Sequence, residues 1–511
     1  MPPGDNAITE FPFFTVLYSD PHAHLFAMPV ALLALSWAVS IVLRRGRWNG
    51  VVGMVTSFLL GGMAIGFLYP INLSDIYTYL PLALIALGYG LWRYLSKTGL
   101  ERLDSLPDAS RRLIVMAGGL ILLIGISVLL IKPYTQWYGQ GYSSIITWKG
   151  PFTPWSSYLT HWGLFIFVFL AWFIWETRDW MANTPLSAIR KLETYRELIL
   201  AGIALVFFAM LAHQWWVMKN QWQGLSIAWL VIPLATWAGI LLLRPGIMDA
   251  KRIVLFLIGT GLLITMMVEV IVVEGDIGRQ NTVFKFYLQV WTLFSVCAAA
   301  AMEWTLASLP EWRPGWRLAW QIPLAFLVIS TSLFTLFGGM AKIRDRMAPD
   351  APHTLDGMAY MQFAEYNESG TLMDLNQDYK AIRWMQENVP GSPVIVEANS
   401  GNLYRWYTRF TMYTGLPGAL GWEWHQQQQR SLLPPDWVSS RLAEINEFYQ
   451  TTDTETALSF LDKYGVRYII LGQLEEATYP GPGLDKFPAM EGIHWRTVYQ
   501  DQDTTIYEVL N

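Results

Sequence analysis

Cysteine is nearly absent from this chain of 511 residues: Cys297 is the single one, and it lies in an apolar run. No disulfide can form within the chain, and cysteine usage says nothing of redox compartment. Charge is scarce too, at 15% of residues, and the net charge of −5 is unevenly placed. There is no basic patch of the kind that binds nucleic acid, so no nucleic-acid partner is expected. The common catalytic signatures are missing: no GxGxxG, Walker A, HExxH, CxxC or GxSxG arrangement occurs. No internal repeat is evident. The first twenty residues lack both a basic start and an apolar core, so no signal peptide is expected.

Apolar residues are abundant. They make up 53% of the chain, with 26 Trp and a mean hydropathy of +0.29. That composition fits a polytopic membrane protein with a soluble part. Ten apolar segments approach spanning length, at 25–43, 51–68, 76–94, 113–131, 158–175, 197–217, 224–243, 253–273, 284–303 and 320–339. The third is short and carries Pro81, Gly88 and Gly90. One set of alternate loops holds seventeen basic residues; the other holds four, Lys132, Lys149, Lys219 and Arg279. The basic set is expected in the cytoplasm. Both termini and the 269–291 hinge are then expected outside the cell membrane.

After Gly339 the chain changes character. Residues 340–511 hold thirteen Lys or Arg against twenty-three Asp or Glu, and no spanning run. Helical patterns at 378–388, 436–449 and 454–464 alternate with strand patterns at 394–398 and 466–472, and 495–500 with 504–510 reads as a closing hairpin. The predicted fold is mainly α: a polytopic bundle of about ten spans, residues 1–339, followed by an external α/β domain, residues 340–511.

The chemistry gathers between Glu269 and Trp291. Three acids, Glu269, Glu274 and Asp276, end one apolar run, and Arg279 precedes the next. Asn281, Lys285, Gln289 and Thr292 follow at helical spacing and share one face. A lysine and two amides facing lipid would cost a few kcal/mol, so this face is expected to point into the bundle or a water-filled cavity. The alternative is an interhelical hydrogen-bond seam. Arg279, with its planar fork, and Lys285 are candidate grips for a phosphate. Glu269, more buried, is a candidate partner for Lys285. Asp276 and Asp20 are candidate acids for activating a hydroxyl, as is Glu10 among its aromatic neighbours.

Asp20, followed by Pro21, reads as a helix cap one turn before His24. With His22, these groups suit a divalent cation, a phosphate or a sugar hydroxyl, or else a cap beside interfacial histidines. His161 and His213 lie near the same ends of their spans. The loop 132–157, rich in Tyr, Trp and Gly, suits carbohydrate stacking, as it does an interfacial belt. In 414–430 a Gly/Pro loop leads to Trp422, Glu423, Trp424 and His425, and either packs in its domain or helps close a site.

The string RQNTVFKFYLQVW, with Glu269 and Asp276 before it, resembles the Chlor_Arch_YYY membrane proteins, a family defined as of unknown function. EFPFFTVLYSDPHAH, YLTHWGLFIFVF, TGLPGALGWEWHQQQQR and YGVRYIILG resemble further stretches of that family. That family in turn resembles the GT-C membrane glycosyltransferases. The resemblance implies transfer of a sugar from a polyprenyl-phosphate donor at the external face, with membrane lipid as surroundings. It also implies spans upstream bearing the Tyr-Tyr-Tyr motif, which this chain lacks. Either Asp20 then replaces an acid of those spans, or a second chain supplies it, or the chain is a non-catalytic subunit. A lipid or solute transporter is the further alternative.

Overall fold

The computed structural model describes residues 11–17, 22–95, 101–136, 138, 144–185, 187, 196–219, 227–274, 276, 278–347, 349–402, 405–430, 433–434 and 436–510. It divides into two compact units, Met1–Gln136 with Tyr142–Lys342, and Trp137–Gly141 with Ile343–Asn511.

In the first unit a short helix, α1 (Pro12–Leu17), precedes ten helices that coincide with the ten apolar segments. They are α2 (Ala23–Leu43), α3 (Gly50–Ile71), α4 (Leu73–Tyr94), α5 (Asp108–Thr135), α6 (Trp155–Ala182), α7 (Arg196–Lys219), α8 (Ala228–Leu243), α9 (Asp249–Val270), α10 (Gln280–Ser308) and α11 (Pro314–Leu333). Among the described residues, seven of these are long and apolar enough to cross a membrane: α2, α3, α5, α6, α9, α10 and α11. Two of the other three fall short for visible reasons. α8 has 16 residues, and α4 carries Asp75, Thr78 and Arg93.

Among apolar helices in lipid, close packing and polar contacts matter more than burial from water. Gly62 and Gly66 stand four apart on α3 and meet α5; a Cβ on Gly66 would lie 2.7 Å from the Ser127 carbonyl oxygen. A Cβ on Gly261 of α9 would collide with the Phe294 ring of α10. Trp37 Nε1 donates to the Ser57 carbonyl at 2.7 Å and ties α2 to α3. Trp162, Trp172, Phe169, Phe173 and Phe294 are fully buried and form an aromatic centre for α6 and α10.

The expected single span over 253–273 is cut short. α9 ends at Val270, and the β-branched Ile271–Val273 becomes a strand, β2, paired antiparallel with β1 (Ile145–Thr147). Branched side chains favour the extended backbone once a partner strand is present. The loop after α5 is thus fastened to the hinge between α9 and α10, and Trp148 N continues the pairing to Val270 O at 2.8 Å.

The second unit is α/β. A hairpin of β3 (Glu365–Glu368) and β4 (Thr371–Asp374) leads into α12 (Leu375–Asn388). The main sheet has the order β5 (Val394–Val396), β6 (Val466–Leu471), β8 (Thr505–Val509), β7 (Trp495–Gln500). β5 and β6 run parallel; the other two pairings are antiparallel. Between β5 and β6 lie α13 (Arg409–Thr414), α14 (Glu423–Gln429), α15 (Trp437–Gln450) and α16 (Thr454–Tyr464). α17 (Gln473–Thr478) follows β6. Fully buried Arg409 meets three carboxyls here: Asp378 at 2.8 Å, Glu475 at 2.9 Å and Glu397 at 3.7 Å. Burial pushes Glu397 up to about 7, against the pull of Arg409 and two backbone N–H donors.

Candidate functional site

α10 begins at Gln280 because Asp276 caps it. One Asp276 oxygen accepts from Asn281 N at 3.0 Å, the other from Thr282 N at 2.8 Å and from Thr282 Oγ1 at 2.8 Å. An acid there also meets the positive end of the helix dipole. From this start the helix shows two opposite faces: Asn281, Lys285, Gln289 and Thr292 on one, Val283, Tyr287, Trp291 and Phe294 on the other.

The first face meets α4. Gln289 Nε2 donates to Asp75 Oδ1 at 2.8 Å, and Thr78 Oγ1 donates to the Gln289 side-chain oxygen. Gln289, Thr292, Asp75 and Thr78 are all buried. One turn nearer the helix start, Lys285 is exposed, with Asp276 and Asp75 the acids whose charge acts on it. His24, itself buried, sets its ring edge-to-face on Phe284 at 4.6 Å, and His22 lies 5.2 Å from His24, ring to ring. The chain entering α2 therefore passes beside the residue that precedes Lys285.

Arg279 is bound elsewhere. Its Nη1 donates to Glu269 Oε1 at 2.7 Å and its Nη2 to Thr153 Oγ1 at 3.0 Å. Thr153 gives both its N–H, at 2.8 Å, and its hydroxyl, at 2.5 Å, to the same carboxylate. The Trp148 ring covers the guanidinium at 5.5 Å. Arg279 is 2% exposed and Glu269 is fully buried. Glu269 thus pairs with Arg279 and not with Lys285, because the β1–β2 pairing brings Thr153 and Trp148 over the hinge and closes it. Of the two cations that sequence placed together, one meets Glu269 in this closed nest and the other stays exposed on the polar face.

The second face of α10 borders a cavity of about 1010 Å³. Phe11, His161, Tyr287, Trp291, Ser330 and Phe334 are among its walls, and Thr153 and Arg279 stand in its lining as well. Trp291 Nε1 donates to His161 Nε2 at 2.7 Å, which fixes that imidazole as a neutral acceptor.

A profile of the family described as uncharacterized membrane protein (DUF2298) matches residues 5–294. The chain belongs to this family. The match carries the broader expectation of a multi-spanning membrane protein; the narrower family name rests on the motifs alone. No curated protein matches the chain. Among solved structures, the Archaeoglobus fulgidus oligosaccharyltransferase, tethered with an acceptor peptide, is similar over 99% of this chain at 10% identity and a TM-score of 0.31. This chain spans 58% of that protein's length. At that TM-score the likeness carries no argument about activity.

Within the family's matched span the structure brings together Lys285, Asn281, His22, His24 and Asp276 around the first turns of α10. Glu269 and Arg279 stand apart in their own nest. Asp20 and Glu10 lie outside the described residues, as does the side chain of His213. Trp422 and His425 belong to the second unit; Trp422 Nε1 donates to Tyr407 O at 3.1 Å, and the two rings lie 5.4 Å apart. Among the described residues no group of three or more His, Cys, Asp or Glu is placed to hold a metal ion. Sequence reasoning missed Asp75. Its signal was there: an acid after Asn72 and Ser74, at the mouth of the short third segment that carries Pro81, Gly88 and Gly90.

Proposed function

We propose that the chain is a membrane glycosyltransferase of the GT-C type that takes a sugar from a polyprenyl-phosphate donor at the external membrane face. The observation that carries this is Lys285, an exposed cation on the polar face of α10, in the first turns of a helix long and apolar enough to span a membrane. A lipid phosphate must stay at the interface while its tail remains in hydrocarbon, and a fixed cation at that depth meets the requirement. Asn281, one turn nearer the helix start, adds an amide donor. Asp75 holds Gln289 on the same face, and Asp276 is the acid with the stronger effect on Lys285.

In this reading the bond between the anomeric carbon and the phosphate oxygen breaks, and the leaving phosphate takes its electron pair beside Lys285. The acceptor hydroxyl attacks that carbon and gives its proton to Asp20, which precedes His22 and His24 on the chain entering α2. Glu10 is the second candidate for that base. Asp276 is a poorer one, since both its oxygens are engaged in capping. Arg279 is a positioning residue: it holds Glu269 and Thr153 and so shapes the hinge from which α10 starts.

The test is donor binding by native mass spectrometry on purified protein. Lys285→Ala should abolish binding of a polyprenyl-phosphate sugar while the protein stays folded. Unchanged binding in that variant would remove the basis of the proposal. A second reading, a non-catalytic subunit of a membrane assembly, is favoured by the engagement of the three hinge acids: Glu269 with Arg279 and Thr153, Asp276 in capping α10, and Glu274 accepting from Ser144 Oγ. Asp20→Asn separates the two: in an enzyme it keeps donor binding and loses transfer, whereas a subunit shows no transfer in the wild type either.

A further inference from the structure

The cavity on the second face of α10 has no part in the proposed transfer. Three walls of it are membrane-spanning helices: the first turns of α6, the stretch Val283 to Ser295 of α10, and the end of α11 around Leu327 to Thr335. The fourth is the N-terminal segment Phe11–Phe13. The surrounding medium at this depth is lipid. α11 is buried in the chain only at Trp320, so the wall it makes has hydrocarbon on its far side.

Size, charge and backbone point the same way. Val283 to Ser295 is thirteen residues, or roughly 18 Å of helix from first to last, close to the roughly 15 Å depth of one leaflet. A volume of about 1010 Å³ is at the upper end of small-molecule sites. Among the described lining residues Arg279 is the one permanent charge, and Glu269 already neutralises it. His161 is held neutral by Trp291. The remaining polar groups near the hinge end are hydroxyls: Thr153, Ser156, Ser157 and Thr160. α11 then passes into a π-helical turn at Phe334–Gly338, where Phe334 lines the cavity and packs on Phe11 at 5.3 Å. Such turns cost helix regularity and recur at functional sites.

We propose that this cavity is a binding site for a single lipid with an uncharged, hydroxyl-bearing head, its chain lying between α6, α10 and α11 and its hydroxyl among the serines and threonines at the hinge end. Among the described residues Glu269 already offsets Arg279 at the mouth, so an anionic head would gain little there. The site lies on the opposite face of α10 from Lys285, and the inference does not rest on the transfer reading.

The test uses the full chain in detergent, with a diazirine-bearing polyprenol, a diazirine-bearing diacylglycerol and a diazirine-bearing phosphatidylglycerol as probes. Photolysis followed by peptide mapping should place the labels of the two neutral lipids on α6, α10 and α11 around the cavity. Ser295→Trp and Ser330→Trp each fill the space and should abolish that labelling; Ile329→Trp, exposed and outside the lining, should not. Thermal unfolding checks that all three variants fold. Labels spread evenly over the outer helices, or unaffected by either filling variant, would overturn the proposal. Stronger labelling of the cavity by phosphatidylglycerol than by the neutral probes would overturn its assignment of the head group.

Discussion

Removal of one partner of the Glu269–Arg279 pair should destabilise the membrane unit far more than removal of Lys285. Arg279 is 2% exposed and Glu269 fully buried, so Glu269→Gln removes the carboxylate charge that meets the guanidinium in a closed nest. Breaking a buried pair in this way costs about 3–5 kcal/mol. Arg279→Ala should cost a similar amount, since the carboxylate would keep only the two Thr153 donors. The double variant Glu269→Gln/Arg279→Gln removes both charges at once. It should cost less than the sum of the singles, with a coupling on the order of 1–3 kcal/mol. Lys285→Ala, at an exposed position, should fall within about 1 kcal/mol of wild type. The assay is unfolding in detergent followed by tryptophan fluorescence. If Arg279→Ala unfolds with the wild-type midpoint, the nest does not hold the hinge, and Arg279 returns as a candidate phosphate grip.

Asp276→Ala should lower stability by about 1 kcal/mol through loss of the α10 cap, measured in the same assay; Asp276→Asn, with one acceptor oxygen left, should lose less. Gly66→Leu should disrupt the α3–α5 contact, where even a Cβ would crowd the Ser127 carbonyl, at a cost of about 1–3 kcal/mol or more, seen as poor recovery of folded protein from membranes. The second unit should lose stability as pH rises through about 7. Glu397 has its folded carboxyl raised to about 7 by burial, so the stability it contributes is complete below its ordinary value and vanishes as it ionises; Glu397→Gln should flatten that dependence in a melting series across pH.

The helices were legible because spanning length and apolarity are strong, local signals, and all ten apolar segments became helices. The end of α9 was not. Ile271–Val273 is as apolar as a helix needs, and only the distant partner Ile145–Thr147 makes it a strand. In the second unit the strands β5 and β6 and the closing hairpin stood out by composition, while the burial of Arg409 among three acids has no local signature. At the site, the spacing of Asn281, Lys285, Gln289 and Thr292 gave the polar face directly, since helical periodicity alone decides which side chains align. Which acid met which cation depended on tertiary contacts. Glu269 and Arg279 are ten residues apart, but Thr153 and Trp148, more than a hundred residues away, complete their nest. Asp75 met Gln289 across a still larger separation.

The most direct measurement is a cryo-EM structure of the full chain with a polyprenyl-phosphate sugar bound. The account predicts the phosphate within about 4 Å of Lys285 Nζ, the reach of an ion pair, with Asn281 beside it and the Glu269–Arg279 pair intact. Phosphate density against Arg279 with that pair broken, or donor bound away from α10 altogether, would contradict it.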